Sequence, residues 1–163
     1  MNGPKAAVVA ATLSVSLLVI VSGIAQPQSS NDRAVASLNA AAKTKILWDF
    51  AKAKTADVTC DGRPDRVLFG LSAGKVWMGM LPGGGGKPQT MEFVVSGGEQ
   101  AALCGKPRRV EVYPLTCNTD SVGELDGCKQ VRSCKAFAIA DDECDSLNFY
   151  WNSSRKMLFW WRL

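Results

Sequence analysis

Apolar residues are spaced in three different ways along this chain, and each spacing predicts a different element. Residues 6–25 form a nearly continuous apolar run without charge. Across residues 32–54, Val35, Leu38, Ala42, Ile46 and Phe50 recur three or four apart, which lines one face of a helix. Ser30 or Asn31 is placed to cap that helix, Asp32 sits in its first turn, and alanine fills much of its length. Thr44, Ile46 and Trp48 are weaker helix formers and allow a break near residues 43–46. After Cys60 the pattern changes to short apolar runs bounded by glycine, proline and polar clusters. Residues 66–71, 75–81, 90–96, 109–113, 135–140, 147–151 and 156–162 read as strands. Ser72-Ala73-Gly74 and Asn152-Ser153-Ser154 have the composition of hairpin connections. The expected fold class is mainly β (α+β), with an N-terminal helix followed by a disulfide-stapled antiparallel sheet.

The opening run follows Lys5 and ends in Gly23-Ile24-Ala25, with small residues at the −3 and −1 positions of a cut before Gln26. That is the layout of a secretory signal peptide. An uncleaved anchor is the alternative, since a spanning helix needs about 20 apolar residues; Thr12, Ser14, Ser16 and Ser22 dilute the run. The expected division is signal peptide or anchor over 1–25, linker and helix over 26–56, and a β domain packed with the helix over 57–163. The net charge of +4 falls to +3 without Lys5, too mild for a nucleic-acid surface. Lys106, Arg108 and Arg109, and again Arg155 and Lys156, read as solvated turn residues.

In an exported chain, Cys60, Cys104, Cys117, Cys128, Cys134 and Cys144 read as disulfides. Six cysteines allow about 15 pairings. Short loops favour Cys117–Cys128 and Cys134–Cys144, leaving Cys60–Cys104. The chain has no histidine and no C-x-x-C pair, which argues against structural zinc and thioredoxin-like redox chemistry.

One stretch carries site chemistry. From Asp57 to Asp65, oxygen-bearing side chains fall at relative positions 1, 3, 5 and 9 (Asp57, Thr59, Asp61, Asp65), with Gly62 at position 6. Such spacing wraps backbone around a hard cation. The stretch resembles the Asp-rich loops of FG-GAP and VCBS-type β repeats, which lead into a strand. The resemblance implies calcium as a possible cofactor, with Asp57, Thr59, Asp61 and Asp65 as its ligands. The chain departs from that pattern at Cys60 and shows no second copy of the loop. An EF-hand is disfavoured, because Leu68 stands where its bidentate glutamate belongs. The alternative is an Asp-Gly turn that satisfies its own backbone.

Pro82-Gly83-Gly84-Gly85-Gly86-Lys87-Pro88 is a flexible loop without the Lys-Ser/Thr ending of a phosphate loop. Asp141-Asp142-Glu143-Cys144-Asp145 reads as a disulfide-tied acidic turn. The last two runs carry Phe149, Tyr150, Trp151, Phe159, Trp160 and Trp161. Strand alternation puts Phe149 and Trp151 on one face, and Phe159 and Trp161 together on one face of their own strand. Cross-strand aromatic packing accounts for most of them, and exposed ones would suit a sugar or protein partner. Asn152-Ser153-Ser154 also matches an N-glycosylation sequon. The chain is similar overall to small exported bacterial proteins with a terminal aromatic hairpin, which implies a compartment and no activity.

Without histidine the usual triad base is missing, and pairs such as Glu92 or Glu111 with a loop aspartate are too common to signal catalysis. The expectation is an exported, non-catalytic binding domain with a protein or glycan partner, no nucleic acid, and secreted or periplasmic placement. A membrane-anchored envelope protein is the alternative, with membrane contact only if the N-terminal segment stays uncut. A small hydrolase ranks below both.

Overall fold

The computed structural model describes residues 29–95 and 102–162. The expected signal peptide or anchor, the cut before Gln26 and Ser96 lie outside the described residues. Helix α1 (Ser30–Ala42) starts one residue earlier than the capping residues expected. Ser29 is the N-cap: its hydroxyl accepts the Asp32 N–H while the Asp32 carboxylate accepts the Ser29 N–H, a capping box.

The helix does not reach residue 54; it ends at Ala42, beside the break expected near residues 43–46. Lys43 takes a left-handed φ of 55° and its N–H returns to the Asn39 carbonyl. Asn39 then holds the reversed chain, its Oδ1 accepting the Ile46 N–H at 3.1 Å and the Trp48 indole N–H at 2.9 Å. Ile46 stays in register with the helical stripe because it packs into the same cluster as Leu38, reached by a chain reversal and not by another turn. The reversed segment forms β1 (Leu47–Trp48), a one-turn 3-10 helix (Phe50–Lys52) and β2 (Lys54–Ala56).

The remaining strands are β3 (Asp65–Ser72), β4 (Lys75–Leu81), β5 (Gln89–Val95), β6 (Ala102–Leu103), β7 (Arg109–Pro114), β8 (Asn118–Thr119), β9 (Gly123–Glu124), β10 (Lys135–Ala140), β11 (Leu147–Asn152) and β12 (Met157–Trp161). All seven expected strands are present to within about a residue, inside the usual uncertainty of such boundaries. One sheet runs β1-β3-β4-β5-β6, with β2 also on β3; a second runs β12-β11-β10-β7. Every pairing is antiparallel except β5 with β6, which is parallel.

The two sheets pack face to face. Val67, Phe69, Met78, Met80 and Phe93 from the first meet Val110, Phe137, Ile139, Phe149 and Leu158 from the second. The helix covers the outer face of the first sheet, Leu38 packing with Ile46, Trp48 and Leu68. Gly70 and Gly79 make that possible: a Cβ would lie 2.9 Å from the Trp48 ring at Gly70 and 2.7 Å at Gly79. On the outer face of the second sheet Tyr150 and Ala136 pack with Leu115 and Leu125, which flank the β8–β9 hairpin in sequence.

Three disulfides close the domain: Cys60–Cys134, Cys104–Cys144 and Cys117–Cys128. The last is the local pair that spacing favours; Cys134–Cys144 and Cys60–Cys104 are not formed. Between Cys134 and Cys144 runs β10, which alone spans roughly 20 Å. Bridged cysteines need Cα atoms within about 7 Å. Cys134 and Cys144 therefore stand at opposite ends of the sandwich, and each pairs with the cysteine at its own end. Such bonds are typical of extracytoplasmic proteins. Among the described residues no helix is long and apolar enough to cross a membrane.

Candidate functional site

The Asp57–Asp65 segment links β2 to β3, and its carboxylates turn onto the main chain. Asp65 is fully buried. Its Oδ2 accepts the N–H groups of Val58 at 2.8 Å and Thr59 at 2.7 Å. Its Oδ1 accepts the Thr59 hydroxyl at 3.3 Å and, across to the glycine-rich loop, the Gly83 N–H at 2.9 Å. Asp57 accepts the N–H groups of Asp61 and Gly62, both at 3.1 Å. Asp61 Oδ1 accepts the Arg63 N–H at 2.9 Å. Cys60 and Gly62 adopt positive φ of 62° and 80°, and the Cys60–Cys134 bond holds the strained non-glycine residue in place.

Calcium needs about six to eight oxygens converging at 2.3–2.6 Å. Among the described residues, the oxygens of Asp57, Asp61 and Asp65 are not gathered as one set within 4.8 Å of one another. Asp65 would have to abandon four donors, and Thr59 its hydroxyl bond, to join a coordination shell. In this arrangement the donor set fits the capping of backbone N–H groups and does not fit a calcium shell.

The same loop forms one wall of a cleft of about 420 Å³. Thr59 and Asp61 line that wall; Gly84, Gly86 and Lys87 come from the β4–β5 loop, with Gln89 at its end. Trp151 and Lys156 come from the β11–β12 hairpin. The glycine-rich loop lies close because it lacks side chains: a Cβ would sit 2.1 Å from the Pro64 carbonyl oxygen at Gly83, and 2.4 Å from Asp61 Oδ2 at Gly84. Asp61 Oδ2, Gln89, Lys87 and Lys156 make no side-chain hydrogen bond or ion pair with other described residues. These groups are exposed or half-buried, and no buried side-chain nitrogen or oxygen among the described residues lacks a partner.

The aromatic hairpin is packed on both faces, with none of its six aromatics exposed. Phe149 stacks on Phe137 at 4.8 Å and meets Phe93 edge-on at 5.6 Å. On the other face Tyr150 contacts Phe159 and Trp161. The turn is fixed by Asn152, which is fully buried. Its amide N–H donates to the Asp126 carbonyl at 2.8 Å, and its Oδ1 accepts the N–H groups of Ser154 and Arg155. The sequon asparagine is thus a structural residue of the folded domain. Trp151 is half-buried at the cleft, its base packed against the core.

The second acidic cluster is not a solvated turn throughout. Asp141 is buried, and accepts the N–H groups of Gly105 and Glu143, both at 2.9 Å, and of Cys144 at 3.1 Å. Burial pushes its carboxyl up, but the backbone N–H groups outweigh burial and hold it below the ordinary carboxylate range. Cys104, Asp141 and Cys144 lie together as a potential ligand group, yet the two sulfurs are bonded to each other and offer no thiolate.

Gln89, Lys87, Trp151 and Lys156 were not marked as site residues by the sequence pattern, since they come from separate segments. The local signals were the Asp57–Asp65 spacing, the loop of four consecutive glycines and the aromatic hairpin, with nothing in the sequence to bring the three together. No known family, curated protein or solved structure matches the chain.

Proposed function

We propose that this protein is an exported, non-catalytic binding domain, secreted or periplasmic, whose ligand enters the cleft between the Asp57–Asp65 loop, the glycine-rich loop and Trp151. The supporting observation is convergence: one cleft gathers a tryptophan, a carboxylate oxygen, an amide and two ammonium groups from three separate segments, none of the polar groups engaged by another described side chain. Its volume falls at the lower end of the roughly 300–1,000 Å³ of small-ligand sites. Binding is preferred to hydrolysis because a glycosidase uses two carboxyls about 5–9.5 Å apart, and Asp61 is the one carboxylate among the described lining residues.

A thermal melt of the oxidised protein against a panel of soluble glycans and envelope peptides tests the reading. A ligand at a hundredfold excess over its Kd raises stability by about 2.7 kcal/mol. The gain is expected to vanish in Trp151→Phe if the cleft is the site. A ligand whose gain survives that substitution would place binding elsewhere.

A further inference from the structure

Resting on the cleft reading above, we infer that the ligand is a carboxylate-bearing sugar, a uronate unit of an acidic polysaccharide. Three groups in the cleft make different demands. The half-buried Trp151 suits the flat C–H face of a pyranose ring. Asp61 Oδ2 and the Gln89 side chain can accept hydroxyl protons. Lys87 and Lys156 carry positive charge that no described residue neutralises. Two ammoniums against one carboxylate leave the lining with a net positive charge, so an anionic ligand is favoured.

Other ligand classes meet only part of this. A neutral sugar leaves both lysines unanswered. A free phosphate leaves the tryptophan ring uncovered. An acidic peptide supplies carboxylates without a row of hydroxyls for Asp61 and Gln89. A uronate brings ring face, hydroxyls and carboxylate together in one rigid unit. The wall itself is preorganised. Lys156 is held at a φ of 55° with its N–H on the Asn152 carbonyl at 2.9 Å, and the loop bearing Asp61 is held by the Cys60–Cys134 bond.

The test follows the tryptophan indole N–H signals of the oxidised, nitrogen-15-labelled protein, with Trp151 assigned from Trp151→Phe. The probes are a galacturonate trisaccharide, a neutral galactose trisaccharide, tetraglutamate and sodium acetate. The expected result is a Trp151 shift with galacturonate at least about five-fold tighter than with the neutral sugar. About 0.5 M salt should weaken it several-fold, because the screening length falls to about 4 Å. Lys87→Gln with Lys156→Gln should erase the acidic preference and leave the melting temperature unchanged, both residues being exposed. Equal binding of acidic and neutral trisaccharides would overturn the uronate assignment while leaving the cleft reading standing. Equal shifts with tetraglutamate or acetate would overturn the sugar. If no probe moves Trp151 the uronate inference fails, and if the wider glycan and peptide panel is also silent the cleft reading fails with it.

Discussion

The two ends of the sandwich are built alike and finished differently. At one end a disulfide, Cys60–Cys134, stands beside a buried aspartate, Asp65, that collects backbone N–H groups from two loops. At the other, Cys104–Cys144 stands beside Asp141, which does the same. The difference lies in the surface charges. At the Asp141 end, Arg109 is paired with Glu111 and Asp142, and Arg108 lies 3.9 Å from Asp142. At the Asp65 end, Lys87, Lys156 and Asp61 Oδ2 face a cleft without such partners. A shared scaffold thus carries a cluster of ion pairs at one end and the cleft lined by Asp61, Lys87 and Lys156 at the other.

Removing the bonds tests the likeness with the largest effect. Chain entropy for separations of 74 and 40 residues gives about 4.5 kcal/mol for Cys60–Cys134 and about 4 kcal/mol for Cys104–Cys144. Paired Cys→Ser variants in denaturant melts should therefore lose similar stability. Next, Asp65→Ala strands buried N–H donors on two loops and should cost roughly 3–5 kcal/mol in the same assay. A loss below about 1 kcal/mol would mean the Asp65 bonds are dispensable. Asp141 adds a pH dependence. Its folded carboxyl is held low, so its contribution is complete above the ordinary carboxylate range and fades as pH falls through the folded value. Asp141→Asn should be less stable near neutrality, with the gap from the parent protein narrowing in acid. The smallest effect is expected from calcium: millimolar calcium or chelator should leave the melting temperature within about a degree. A clear rise abolished by Asp61→Ala would show that the loop reorganises around an ion.

Much of the sandwich was legible because a strand writes its own pattern. The β3, β4, β10 and β11–β12 segments show apolar runs whose ends coincide with glycine or polar turns. Other features depend on tertiary contacts. The helix ends where Asn39 can hold Ile46 and Trp48, a contact seven to nine residues away that periodicity does not register. The two-residue β6 is too short to leave a signal. Loop length gave Cys117–Cys128, whereas the rigid length of β10 keeps Cys134 from Cys144 and sends each to a distant partner. At the site, the Asp57–Asp65 spacing marked a tightly wrapped loop, but inward-pointing oxygens serve an ion and a set of N–H groups from the same sequence. The cleft was hidden because Gln89, Trp151 and Asp61 are neighbours only after the sheets pack.

The burial of Asn152 has a consequence for how this chain can be made. Its side-chain nitrogen points at the Asp126 carbonyl, and a Cβ on Gly127 would stand 2.3 Å from its amide oxygen, so there is no room for a sugar on it. Oligosaccharide transfer acts on chains that are still folding. A cell that glycosylates Asn152-Ser153-Ser154 during export would therefore lock the last hairpin open, and only copies that escape modification could finish folding.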